Sequence, residues 1–297
     1  MKYCVAIDLG GTGIKGALVS EEGEILKTRT IPTAKEKNEV LRVIGEVVEE
    51  LKTGYEIEGI GLGSPGTIDS ENGKVLGVGG NINDWAYTDI KGYLDGIFPG
   101  TLIKVDNDAN CAGQCEVWMG AARGYKSALI LTLGTGLGGA VFVHGKMLHG
   151  ERFKATELGH LILYPRGREC MCGQRGCSEK YVCGTGIELN YEELTGKTTS
   201  AVEIVGMVDT DVNAKRAVDK FAEDLGYVLI NMKNAFDPAV IVIGGGVINS
   251  ADIWWDKMLA NYKKYVNSYD DMPIVKAQYL NSAGLIGAAS LIFDSHE

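Results

Sequence analysis

Nothing in the chain is apolar for long enough to cross a bilayer. The longest apolar runs, such as Ala239–Ile243, are strand-length, whereas a span needs about 20 residues. Basic residues are the minority: 29 Lys and Arg against 39 Asp and Glu leave a net charge of −10. That balance argues against a protein that grips nucleic acid by its phosphates. No basic amphipathic helix offers itself to a membrane surface. The first residues, Met1-Lys2-Tyr3-Cys4, lead directly into a strand, so no secretion leader is expected. Low-complexity tracts and flexible linkers are missing too, so the domains are expected to join through structured elements. The cysteines are seven, an odd number that cannot pair off completely. That fits a reducing, cytoplasmic setting, with Cys4, Cys111, Cys115 and Cys183 as small buried hydrophobes rather than redox pairs.

What is present is enough for two domains: 297 residues, 45% of them hydrophobic, exceed one core of ordinary size. The stretch 157–179 carries the densest chemistry. His160, Cys170, Cys172 and Cys177 follow the pattern H-x9-C-x-C-x4-C. Thiolates and one imidazole suit a tetrahedral Zn²⁺, and four protein donors leave no place for an activated water, so the metal is expected to be structural. The competing reading is a chance cluster of thiols, or a disulfide. Glu157 and Glu179 flank this loop. Together with the second nitrogen of His160 they could address a polyhydroxylated ligand, whose hydroxyls both donate and accept. Taken singly, either glutamate could equally be a solvated charge.

The 41 glycines gather in turns. Strand Tyr3–Leu9 enters Gly10-Gly11-Thr12-Gly13 and leaves as strand Ile14–Val19; Ser127–Leu133 enters Gly134-Thr135-Gly136-Leu137-Gly138-Gly139 and leaves as Ala140–Val143. Each is strand, glycine turn, strand, whereas a Rossmann or P-loop site would put a helix after the glycines. Such turns let backbone N–H groups approach an anion. One alone reads as an ordinary tight turn; two suggest related domains facing one cleft, each cradling part of a polyphosphate. A third turn, Gly244-Gly245-Gly246, follows strand Ala239–Ile243 and could meet a purine or simply lead into a helix. Val40–Leu51 and Ala214–Phe236 repeat apolar residues at helical spacing. Between them, Ile57–Leu62 and Leu102–Val105 read as strands, and a helix follows Asp106-Asn107-Asp108-Ala109-Asn110. Asp108 would then sit at a helix N-terminus, where the dipole favours the carboxylate and where it could act as a cap or as a general base.

These motifs together resemble the ROK family of sugar kinases and sugar-responsive repressors, within the actin/hexokinase-like ATPase superfamily. Asp8 to Lys15 resembles its first phosphate motif, Asp106–Asn110 its catalytic motif, Leu133–Gly139 its second phosphate motif, and Glu157–Glu179 its sugar-and-zinc signature. The resemblance implies an α/β fold of two actin-like (ribonuclease H-like) ATPase domains with a cleft and a small zinc loop. The smaller domain would span residues 1–112, with the helix at about 284–297 packing back on it; residues 113–283 would form the larger. The resemblance implies a sugar pocket of Gly66, Asn107, Asp108, Glu157, His160 and Glu179, with Asp108 as catalytic base. ATP and Mg²⁺ would be held by Asp8, Gly10, Gly11, Thr12, Lys15, Gly134, Thr135, Gly136, Gly244, Gly245 and Gly246. The implied reaction is phosphorylation of a hexose, at C6 and with glucose as the default. N-acetylmannosamine, β-glucosides and other hexoses are the alternatives, and a loop over Val75–Trp85 would meet the C1/C2 side of the sugar. Domain closure would keep water from the phosphoryl group. The first motif begins at Asp8, leaving no room before it for the helix-turn-helix of the repressor branch. A non-catalytic sugar sensor is the reading from another class. A homodimer is expected from the resemblance, with Trp254 and Trp255 assigned to core packing ahead of an interface.

Overall fold

The computed structural model describes residues 1–77, 82–267 and 271–293. In chain order the strands are β1 (Tyr3–Leu9), β2 (Gly13–Ser20), β3 (Ile25–Pro32), β4 (Gly59–Ser64), β5 (Ile68–Asp69), β6 (Lys74–Val75), β7 (Leu102–Asn107), β8 (Ala128–Leu133), β9 (Leu137–Val143), β10 (Lys146–Met147), β11 (Val240–Gly244) and β12 (Ile274–Lys276). The helices are α1 (Lys37–Lys52), α2 (Ile90–Ile97), α3 (Asp108–Trp118), α4 (Gly184–Thr195), α5 (Ala201–Gly206), α6 (Val212–Phe236), α7 (Ala251–Tyr265) and α8 (Ala283–Phe293). The chain forms two units: Met1–Gly124 with Gly145–Ala155 and Gln278–Glu297, and Tyr125–His144 with Thr156–Ala277. The expected division at 112/113 falls inside α3; the units part after Gly124, once that helix is complete.

In the first unit the sheet order is β3-β2-β1-β4-β7. β1 pairs antiparallel with β2 and parallel with β4, and β4 runs parallel to β7. In the second unit β9-β8-β11-β12 repeat this scheme, with β8 antiparallel to β9 and parallel to β11, and β11 parallel to β12. Both central strands are nearly continuous apolar runs, buried along almost their whole length on both faces of the sheet. The stripe on α1 read from its periodicity (Val40, Leu41, Val43, Ile44, Val47, Val48, Leu51) is buried against the first sheet. The corresponding stripe on α6 packs with Trp254 of α7, whose ring meets Phe221 edge-on at 5.3 Å. Trp254 is therefore core, only 1% exposed. Asp237, at φ 44, ends α6 in the left-handed region just before Pro238. The strand read as Ile57–Leu62 instead runs Gly59–Ser64, because its pairing with β1 starts only at Gly59 opposite Cys4.

Helix α8 belongs to the first unit and touches it through backbone. A Cβ at Gly61 of β4 would stand 1.8 Å from the Ala288 carbonyl oxygen, and one at Gly287 would stand 1.6 Å from that of Cys111 in α3. The four residues 294–297 expected to extend this helix lie outside the described residues, as do residues 78–81 of the loop expected over the sugar. Replacing Gly61 by Ala forces backbone apart and is expected to cost about 3 kcal/mol or more. Gly96 of α2 has nothing within 4 Å of a new Cβ, and Gly96→Ala is expected to gain about 0.5–1 kcal/mol. Urea melts of both variants check the contrast.

Candidate active site and metal centre

The register of the first sheet brings its functional ends together. Asp8 lies opposite Gly63, and Gly63 opposite Asp106, so β1, β4 and β7 leave the sheet along one edge, at their carboxyl ends, where open α/β sheets bind ligands. Asp8 also faces Lys15 across the first hairpin, with Lys15 Nζ 3.5 Å from Asp8 Oδ2. The turn between them is fixed by Gly10 N–H donating to the Gly13 carbonyl (2.9 Å) and by the Thr33 hydroxyl donating to the Gly10 carbonyl (2.7 Å). Gly11 and Thr12 stand exposed at its tip.

At the end of β7 the structure corrects one expectation. The cap of α3 is Asn107, not Asp108. Asn107 keeps an extended backbone (φ −67, ψ 147), and its Oδ1 accepts from Ala109 N (2.9 Å) and Asn110 N (3.2 Å). Asp108 is already the first helical residue, one position too late to cap. The Asn107 amide Nδ2 donates to the Gly66 carbonyl at 3.0 Å, tying the turn after β4, where Gly66 takes φ +97, to the start of α3. The helix dipole was expected to favour ionised Asp108. Burial instead pushes its carboxyl up to about 6, the Asp8 carboxylate adding to the rise and the Ala109 N–H only partly offsetting it. A carboxyl at that value is ionised at neutral pH and still takes a proton readily, which is what a general base needs.

In the second unit Thr132 of β8 lies opposite Gly244 of β11, so the Gly134–Gly136 and Gly244–Gly246 turns leave the sheet side by side. Gly134 N–H donates to the Gly136 carbonyl (3.0 Å), and Gly184 N–H, at the start of α4, donates to the Gly134 carbonyl (2.8 Å). The Thr185 hydroxyl donates to the Thr135 carbonyl at 2.8 Å. Beside these turns opens a cavity of about 690 Å³, with Val202, Val205 and Val247 as its apolar wall and Glu188 and Ser200 among its polar lining. The sequence reading missed the α5 wall. Its signal was the capping box Ser200-x-x-Glu203, which is formed in the structure. A larger cavity of about 810 Å³ lies elsewhere in this unit. Several charges there are already paired, Arg168 with Glu193 and Lys220 with Asp224.

His160, Cys170, Cys172 and Cys177 converge, with their ligand atoms all within 4.8 Å of one another. Cys172 Sγ and Cys177 Sγ are 3.6 Å apart, and Cys170 Sγ is 3.7 Å from His160 Nδ1. Tetrahedral Zn–S bonds of about 2.3 Å place sulfurs about 3.8 Å apart, so the donor set fits that ion. All seven cysteines are free thiols, which removes the disulfide reading. The loop closes through Gly173 (φ +90) and Gly176 (φ +82); at Gly176 a Cβ would stand 1.7 Å from the Tyr164 carbonyl oxygen. Arg168 clamps the base of the loop, donating to both Glu193 carboxylate oxygens at 2.7 Å and to the Lys180 carbonyl at 2.6 Å. His160 presents Nδ1 to the cysteines, so Nε2 is the nitrogen left for another partner. Glu179 Oε1 is 3.1 Å from Cys170 Sγ. Its Oε2 lies 3.1 Å from where a Cβ on Gly136 would be, so Glu179 stands against the second glycine turn. Glu157 opens the turn Leu158–His160 with an exposed side chain.

The ROK family pattern matches residues 4–295. The chain belongs to the ROK family. It is 34% identical to the glucokinase of Thermotoga maritima, over 97% of this chain and 96% of that one. Among solved structures it is similar to a ROK hexokinase from Thermus thermophilus (34% identity, 97% and 96% coverage, TM-score 0.88). It is also similar to a ROK family glucokinase from Streptomyces griseus in complex with glucose and AMPPNP (28%, 97% and 98%, TM-score 0.82). The mixed α/β fold described above is thus the ROK sugar kinase fold.

The raised value of Asp108 has a consequence for stability. Above pH 6 the folded state must hold a carboxylate that the unfolded chain ionises more easily; as pH falls through 6 towards 4 the folded group protonates first and the cost disappears. Asp108→Asn is therefore expected to stabilise by on the order of 2 kcal/mol near pH 8 and by almost nothing near pH 4. Chemical denaturation at the two pH values measures the gap, and a gap independent of pH would contradict it.

Proposed function

We propose that this ROK protein transfers the γ-phosphoryl group of ATP to the C6 hydroxyl of a hexose, with glucose as first candidate. The chain is an ATP-dependent sugar kinase by its relatives; the sugar, the position and the residue roles are the proposal. Asp108 carries it: a partly buried carboxyl at a helix start, pushed up to about 6, in a turn tied to Gly66. Gly66, Asn107, Glu157, His160 Nε2 and Glu179 are assigned to the sugar hydroxyls from the family resemblance. As the C6 oxygen attacks phosphorus, its O–H bond breaks and the proton passes to Asp108. The P–O bond to ADP breaks as the new one forms.

Backbone N–H groups of Gly10–Thr12 and Gly134–Gly136 are assigned to the phosphates, Lys15 and Asp8 to their charge and to the water shell of the accompanying Mg²⁺. The Gly244–Gly246 turn and the Val202, Val205 and Val247 wall are assigned to the purine. Zn²⁺ at His160, Cys170, Cys172 and Cys177 would supply a cross-link and no Lewis acid, since four donors fill its sphere. The loop it closes sets where Glu157 and Glu179 stand.

A coupled assay over glucose, N-acetylated hexosamines and β-glucosides tests the reaction and ranks the sugars. Asp108→Asn is expected to keep sugar binding, since an amide still bonds a hydroxyl, and to lose roughly 10²–10⁴ in kcat. Wild-type kcat/KM is expected to fall below pH about 6, as Asp108 takes up its proton. Undiminished turnover by the variant would remove Asp108 as the base; sugar binding by a wild type without turnover would turn the reading to a sensor. Elemental analysis is expected to give about one zinc per chain. Cys172→Ser is expected to weaken sugar binding, and a metal-free protein with unchanged sugar affinity would refute the role given to the loop.

A further inference from the structure

Residues 145–155 are an excursion. The chain before them (Tyr125–His144) and after them (Thr156–Ala277) belongs to the second unit, while Gly145–Ala155 belongs to the first. Left-handed backbone marks the ends and bends of this segment: His144 (φ 53), Gly145 (φ 81), Gly150 (φ 74), Phe153 (φ 53) and Thr156 (φ 66). Side chains as large as Phe, or branched as Thr, keep such conformations only where their surroundings over-determine them. Midway along, the segment sends one polar side chain onto the strand that carries the catalytic turn. His149 Nε2 lies 2.8 Å from Asp106 Oδ2.

Asp106 is the residue two before Asp108, and its side chain is 4% exposed. Its Oδ1 already accepts from Asn107 N (2.7 Å) and Asn110 Nδ2 (2.9 Å). An ionised carboxylate only accepts, so the proton of this bond resides on His149 Nε2. The bond to Asp106 raises the pKa of the ring above the usual imidazole value, against the effect of burial. Phe153 meets the same ring at 6.3 Å and braces it from within the segment. One carboxylate thus joins three pieces of chain: the end of β7, the first turn of α3 and the excursion. With His149 gone, Oδ2 would be a buried acceptor without a donor, and the turn would shift to reach water.

We infer that His149 is a positioning residue: through Asp106 it fixes the 106–110 turn, and so the aim of the Asp108 carboxylate. The same bond anchors the segment that runs on into Glu157. The inference rests on the reading of Asp108 as base, and its test separates the two. His149→Gln places an amide nitrogen that can still donate to Asp106; His149→Asn keeps polarity but is too short to reach. The Asn variant is expected to lose roughly 10–100-fold in kcat on the best hexose with KM for ATP unchanged, the usual cost of misplacing a reacting group. The Gln variant is expected to recover most of that loss. Amide hydrogen exchange over residues 106–110 and 145–155 is expected to quicken in the Asn variant and to stay near wild type in the Gln variant. Wild-type kcat in the Asn variant, or equal loss in both variants, would overturn the inference. Should the wild type phosphorylate no hexose, the kinase reading fails on its own. Exchange then decides: unchanged protection in the Asn variant overturns the positioning role, and selective quickening sustains it.

Discussion

The close approach of three backbones underlies the first-unit site. Helix α8, from the far end of the sequence, lies on β4 and α3 with no side-chain atoms between at two places. A Cβ at Gly61 or at Gly287 would overlap a carbonyl oxygen of the facing element. A third glycine, Gly284, brings the same helix against the Asp8 carboxylate, where a Cβ would stand 2.7 Å from Asp8 Cγ. One helix with glycines on its inner face thus packs closely on β4, on α3 and on the Asp8 carboxylate. Burial is the main cause of the raised Asp108 carboxyl, and the Asp8 carboxylate adds to it.

Three aspartates end up within one small region, and each is answered differently. Asp8 has Lys15 opposite it in the hairpin. Asp106, almost fully buried, has both oxygens occupied by Asn107, Asn110 and His149. Asp108 accepts from the Ala109 backbone N–H, which only partly offsets burial, so its proton affinity rises. The difference is one of partners and not of residue type. It separates two carboxylates whose oxygens are taken up by neighbours from one whose carboxyl is pushed up to about 6.

The second unit achieves rigidity by other means. Its knuckle of 160–177 has little apolar core of its own, and Met171 at the tip is 98% exposed. Converging thiols, two left-handed glycines and the Arg168 clamp replace buried area there. Since the Glu179 carboxylate follows the last cysteine by two residues and stands against Gly136, the geometry of the knuckle reaches the second glycine turn directly.

The sequence by itself determined the elements whose signals are local. The two glycine hairpins, the helical stripes of α1 and α6, and the histidine–cysteine spacing could be read because each depends on periodicity, on φ freedom or on ligand chemistry within a few residues. Even the capping box at Ser200 was there to be read. Tertiary structure alone decided what depends on distant chain segments. That Asn107 and not Asp108 caps α3 turns on where β7 ends, which its pairing with β4 fixes. That burial pushes the Asp108 carboxyl up to about 6, with the Asp8 carboxylate from the other end of the first unit's sequence adding to the rise, turns on neighbours from other parts of the chain. The partner of Asp106, His149, is 43 residues distant on a segment with no periodic pattern, and no local rule links the two. Electrostatic environment and hydrogen-bond completion are sums over neighbours in space, so they become definite only when the chain has folded.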